Sequence, residues 1–189
     1  MKTTHKNCLI VSTLVTAWLG MQLIHETGHV LGAWATGGSV TRVHLDPLSF
    51  SRTDLADNPQ PLVVAWSGPI LGALIPILLW LVHSKSRLAG SFVTRFCASF
   101  CLVANGVYLG IGSFDRVGDA GDLLRHGAAL WQLWLFGLLA TPLGLLLWHQ
   151  QGAQFGIGKD AKEPERRVVL RTVVLALLLT VIGLVVGGD

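Results

Sequence analysis

The chain has 189 residues, of which 51% are hydrophobic and only 13% charged, and its mean hydropathy is +0.57. That balance excludes an ordinary soluble domain and points to an integral membrane protein. The net charge of +3 is carried mostly by Lys and Arg beside apolar runs, so no nucleic-acid partner is implied.

Five apolar runs, about 8–34, 62–83, 92–112, 130–148 and 168–187, each approach the roughly 20 residues needed to cross a bilayer core. The expected fold is therefore an all-α membrane protein of about five transmembrane helices, forming a single domain over 1–189. The first run begins after Lys2 and Lys6 but continues past the length of a signal-peptide core. It has no small-residue cleavage site and reads as a retained signal anchor. Ten of the fourteen basic residues lie in the N-terminus, the 84–95 segment and the 159–171 segment. By the positive-inside rule this places the N-terminus in the cytoplasm and the C-terminus outside.

Toward the far end of the first run stands "HETGH", residues 25–29. On a helix His25 and His29 are one turn apart on one face, so both imidazoles can reach a single metal ion. Glu26 is offset by one residue, near enough to act as a general base on a water at that metal. Ionisable groups at membrane depth are functional candidates by default. The polar loop that follows, about 37–61, contains "SVTRVHLDPLSFS", whose alternation predicts one or two short strands forming a hairpin, and "DNPQP" closes it as a turn.

The second run carries "WSGPILGALIP", in which Gly68 and Gly72 permit close helix approach and Pro69 and Pro76 bend the backbone. Packing alone accounts for such a segment, and a bent helix beside a water-accessible cavity is the functional alternative. In the third run Cys97 and Cys101 stand one turn apart. With Cys8 they make an odd count, which argues for buried apolar thiols over disulfides or metal ligands.

A hydrolytic zinc site needs a third protein ligand. His5, His44, His83, His126 and His149 fall in loops or at span ends and read as solvated or interfacial side chains. "NGVYLGIGSFDRVGDAGDLLRHG" holds Asn105 within the third run and then Asp115, Asp119 and Asp122. Any of these carboxylates could complete a His-His-Asp set, and spacing does not choose among them. A plain polar loop with Asp122 capping "LLRHG" is the bland alternative. The last interhelical segment, "QQGAQFGIGKDAKEPERR", is Gly-rich and then charged, which suits a flexible linker.

Together, "HETGHVLGAWATGGSV", "WSGPILGAL" and an Asp-Gly-type segment after a third span resemble the site-2 protease family of intramembrane zinc metalloproteases. The resemblance covers about residues 20–125. It implies a three-helix protease core, about 8–125, followed by a C-terminal helical pair, about 130–187. It also implies Zn2+ held by His25, His29 and Asp119, with Glu26 as the catalytic base and Asn105 steadying a substrate backbone. Ala120 and Gly121 depart from the family's Gly-Gly pair, and the usual proline between Asn and Asp is absent. The chain has no room for an inserted PDZ-like or sensory domain and would be a minimal form. The expected function is hydrolysis of peptide bonds in transmembrane or membrane-edge substrates within the lipid bilayer, in a bacterial inner membrane. In the known bacterial members the metal lies nearer the cytoplasmic face, whereas the charge pattern here puts it nearer the outer face. A non-catalytic pseudoprotease that binds partner membrane helices is the rival reading, and an ion transporter ranks behind it because the span interiors are otherwise apolar.

Overall fold

A computed structural model describes residues 2–187. The elements are α1 (Lys2–Ala35), β1 (Ser39–His44), β2 (Arg52–Asp57), α2 (Pro61–Lys85), α3 (Ser91–Asp115), α4 (Gly118–Arg125), α5 (Leu130–Trp148) and α6 (Arg166–Gly187), with a short 3-10 turn at Gly152–Phe155. Five of the helices, all but α4, are long and apolar enough to cross a membrane, and the protein is a multi-pass membrane protein. The helices keep many leucines and valines outward. Leu138, Leu146, Leu177 and Val185 are all exposed, as a surface facing hydrocarbon requires.

α1, α2 and α3 pack together as the core. α5 lies mainly on α3 and α6 mainly on α1, so the two C-terminal helices are divided between two core helices. At one end, Leu9, Ala17, Val93, Phe96, Phe155, Val168 and Val169 form a buried apolar cluster joining α1, α3, the 3-10 turn and α6. The Gly-rich segment expected as a flexible linker is thus tied down. Phe155 meets Phe92 and Phe96 edge-on at 5.0 and 5.6 Å between ring centroids, which outweighs the looseness its composition suggested. All three cysteines are free.

A hairpin forms in the expected loop, but only its first strand lies within the alternating 39–51 stretch, and the second is β2 beyond it. β1 and β2 pair antiparallel, Arg42 opposite Asp54, Val43 opposite Thr53 and His44 opposite Arg52, with irregular register before Arg42. Its course was not legible in the sequence, because the turn between the strands folds back along α1. Trp18 Nε1 donates to the Pro47 carbonyl at 3.0 Å, and Gln22 Nε2 donates to the Ser49 carbonyl at 2.9 Å. Trp18 is about 25 Å before the end of α1 at 1.5 Å per residue, so the hairpin lies beside the helix and does not project beyond it. Pro47 in that turn also rests against Gly183 of α6.

Candidate metal centre

The side chains that converge come from α1, α3 and α4. The helical i, i+4 spacing puts His25 and His29 together, with Nε2 atoms 3.1 Å apart. The chain then brings an acid to them. α3 ends in a left-handed residue, Arg116 (φ 54°), and Gly118 (φ 52°) opens α4, so the chain reverses within three residues. The first turn of α4 delivers Asp119 Oδ2 to 2.8 Å from His25 Nε2 and 3.3 Å from His29 Nε2. The ligand atoms of His25, His29 and Asp119 all lie within 4.8 Å of one another, and this group could hold a metal ion.

The neighbours fix which atoms face inward. His25 Nδ1 lies 2.8 Å from Asn105 Oδ1, and the Asn105 amide nitrogen donates to the Cys101 carbonyl at 2.9 Å, which leaves Oδ1 as the acceptor. His29 Nδ1 lies 2.8 Å from the Val64 carbonyl at the start of α2. A carbonyl oxygen accepts only, so each Nδ1 carries a proton, and in the neutral ring each Nε2 presents a lone pair. Two lone pairs and a carboxylate oxygen thus meet in a space where His25 and His29 are each 7% exposed. Such a set demands a positive charge. A proton on one Nε2 serves one pair of atoms, whereas a metal ion serves all three. With metal–ligand bonds of about 2.0–2.2 Å, tetrahedral donors stand roughly 3.3–3.6 Å apart, so the observed separations of 2.8, 3.1 and 3.3 Å need open by only a few tenths of an ångström to admit an ion. Burial alone would raise the Asp119 carboxyl, and it falls well below the usual carboxylate range only when a positive charge at the His25 and His29 Nε2 atoms meets it, so the anion needs a cation among the three atoms.

Glycines in "WSGPILG" supply the room. A Cβ on Gly68 would overlap the His29 imidazole, and one on Gly72 would press Asn105 at 3.1 Å. One on Gly28 of α1 would sit 2.6 Å from the Ser67 carbonyl. The motif lets α1 and α2 approach closely, as packing alone predicts, and it also makes space for His29 and Asn105, which sequence reading did not foresee.

Glu26 is only 3% exposed and accepts a hydrogen bond from Thr53 Oγ1 of β2 at 2.6 Å. A cavity of about 260 Å³ is lined by His25, Glu26, His29, Thr53, Tyr108 and Asp119 among others. A second, more apolar cavity of about 140 Å³ lies on the other side of His25 and Glu26, against Trp18, Met21, Phe50, Ala104 and Asn105.

The other acids stand apart from the cluster. Asp115 is exposed at the end of α3. Asp122 pairs with Arg125 inside α4 and does not cap it; the cap position is Val117, because the helix starts earlier than "LLRHG" suggests. His44 pairs with Asp54 on the hairpin, His83 with Thr94, and His126 Nδ1 with the Asp122 carbonyl. The contacts of Asn105 run to His25 and Cys101, which gives it a positioning contact to a ligand. Sequence reading missed Thr53, the Val64 carbonyl and Tyr108. The first is an uncharged residue that shares its strand face with Leu55, and the second leaves no side-chain signal.

No known family model matches this chain, and no curated protein or solved structure matches it.

Proposed function

We propose that this protein is an intramembrane zinc metalloprotease of the site-2 protease type, acting on transmembrane or membrane-edge peptides, in a bacterial inner membrane. One observation supports this reading above the others: two imidazole Nε2 lone pairs and one carboxylate oxygen converge beside a buried glutamate that faces the same cavity. A set of two nitrogens and one hard oxygen suits zinc and leaves a fourth position open, as hydrolytic sites require. His25, His29 and Asp119 would hold the ion, which when bound supplies Lewis-acid polarisation of a carbonyl and makes water acidic near neutral pH.

The chain's own residues would do the rest. Asn105 and the Val64 carbonyl keep Nε2 of each histidine free of its proton and correctly aimed. Glu26 takes a proton from the attacking water as its oxygen bonds to the carbonyl carbon. It returns that proton to the leaving nitrogen as the C–N bond breaks. Thr53 holds one Glu26 oxygen, leaving the other for the water. A substrate helix must first unwind, since its carbonyls are held in its own hydrogen bonds. The hairpin, alongside α1 and over the cavity, offers strand edges to the unwound segment.

The test begins with elemental analysis of the detergent-purified protein. Close to one zinc per chain is expected, and its loss in His25→Ala. Glu26→Gln should keep the zinc and abolish cleavage of transmembrane peptides reconstituted with the protein in liposomes, read by mass spectrometry. A zinc-free protein removes the hydrolase mechanism. Zinc with unchanged partner binding but no cleavage in either form favours a non-catalytic helix-binding protein.

A further inference from the structure

Peptide hydrolysis places negative charge on the carbonyl oxygen in the transition state, and fixed hydrogen-bond donors in a water-poor site are the strongest means of meeting it. Most donors facing the two cavities are already committed. Thr53 donates to Glu26, Asn105 Nδ2 to the Cys101 carbonyl, Arg52 Nε to Asp54, and both histidine Nδ1 protons to oxygens. Tyr108 differs from all of these. It lines both cavities, and its ring meets His25 edge-on with centroids 6.1 Å apart. Its hydroxyl oxygen accepts from the Asp119 backbone N–H at 3.3 Å, and among the described residues its own proton has no acceptor. A hydroxyl that accepts one hydrogen bond donates the next more strongly.

The position of this hydroxyl is also set from both sides. Tyr108 stands on α3, the helix that carries Asn105, one turn nearer the reversal into α4. On the far side is Gly118, where any Cβ would overlap the phenol oxygen. The residue joining α3 to the ligand Asp119 is thus one whose missing side chain makes room for this group.

We propose that Tyr108 is a further catalytic residue, whose phenolic O–H donates a hydrogen bond to the oxyanion formed on the scissile carbonyl. This rests on the hydrolase reading above. The proton stays on Tyr108 throughout, and all proton transfer is carried by Glu26. Ser51 also lines both cavities, but it lies in the turn between the strands, where no other element fixes its hydroxyl. It serves as the control.

Tyr108 is the chain's one tyrosine, so biosynthetic 3-fluorotyrosine gives a single 19F resonance. The whole zinc-loaded protein in detergent is titrated with a phosphinic dipeptide, whose tetrahedral phosphinate oxygens mimic the oxyanion. The resonance should shift in step with binding. Tyr108→Phe should keep the zinc stoichiometry and bind the phosphinate about 10- to 100-fold more weakly, as expected for one hydrogen bond to a charged oxygen. Ser51→Ala should bind it as the unaltered protein does. Equal phosphinate affinity in Tyr108→Phe overturns the tyrosine's role and leaves the hydrolase reading standing, and so does a loss confined to Ser51→Ala. Loss of zinc in Tyr108→Phe reduces the residue to holding Asp119 in place and overturns the proposal. An unaltered protein that binds zinc but no phosphinate overturns the hydrolase reading and the tyrosine's role together. One that binds no zinc removes the centre itself.

Discussion

Gly68 offers the sharpest test of how the centre is built, because its substitution separates the site from the fold. A Cβ added there would overlap Nε2 and both neighbouring carbons of the His29 ring, the three atoms nearest to it, so the ring at the end of its side chain is what must give way first. Restoring ordinary contact takes a shift of about 1 Å, several times the roughly 0.2 Å within which ligand distances must hold. That shift also strains the 2.8 Å bond from His29 Nδ1 to the Val64 carbonyl, which aims the ring. Gly68→Ala should therefore weaken zinc binding by at least about 100-fold, the upper range for disturbing a ligand's support. It should change stability little, because a helix gains about 0.5–1 kcal/mol from glycine to alanine against a local overpacking cost of about 1–3 kcal/mol. Two companions grade the effect. Gly72→Ala presses Asn105 at 3.1 Å, a strain of a few tenths of an ångström, and should weaken zinc about 10-fold. Gly20→Ala on α1 meets only Leu179 Cδ1 at 3.8 Å and should leave zinc untouched. The assay is competition with a chromogenic chelator, beside thermal unfolding in the same detergent. Equal zinc affinity across the three variants refutes the placement of His29 against α2.

Other perturbations reach the remaining contacts. Asn105→Leu removes the acceptor that fixes the His25 tautomer and should weaken zinc about 10- to 100-fold by the same competition assay; an unchanged affinity would mean that His25 is aimed by something else. Thr53→Val leaves one oxygen of the buried Glu26 without its donor, which should lower stability to sodium dodecyl sulfate titration by about 1–3 kcal/mol while the zinc content holds. Phe155→Ala, in the segment after α5, should lower stability by about 3–5 kcal/mol in the same titration; a loss below 1 kcal/mol would show that the segment is as loose as its composition suggests.

What was legible in the sequence follows from the range of each interaction. The spans could be read because hydropathy is a local property, and α5 occupies Leu130–Trp148, the expected 130–148. The pair His25 and His29 could be read because helical spacing alone puts them on one face. Asp119 could not be separated from Asp115 and Asp122 by spacing. The choice depends on where α3 stops, and that is set by a left-handed Arg116 and by Gly118 three-dimensionally opposed to Tyr108. Thr53 and Glu26 are brought together by a hairpin that folds back along α1, which depends on Trp18 and Gln22 finding backbone carbonyls in the turn. Neither residue type announces such a partner. Where the polarity of a segment was taken to mean looseness, at 150–165, one buried aromatic reversed the outcome.

The centre is also where this fold departs most from its own rules. Three buried hydroxyls elsewhere, on Ser12, Ser99 and Thr172, are quieted by carbonyls, each donating to the preceding turn of its own helix, whereas those of Thr13 and Thr16 meet no partner among the described residues. At His25, His29 and Asp119 the neighbours do the opposite. Asn105 and the Val64 carbonyl take up the protons that would otherwise let the imidazoles satisfy Asp119 and each other. The packing that permits this needs glycine at 28, 68 and 72, three places where a side chain would have filled the gap between helices. In a low-dielectric interior three mutually facing acceptors raise the energy of the empty arrangement, and that same energy is returned when a cation enters. A sequence selected only for a stable bundle would have removed the conflict by changing any one of these residues. The presence of that conflict among packed helices is the physical ground for reading the cluster as one that could hold a metal ion.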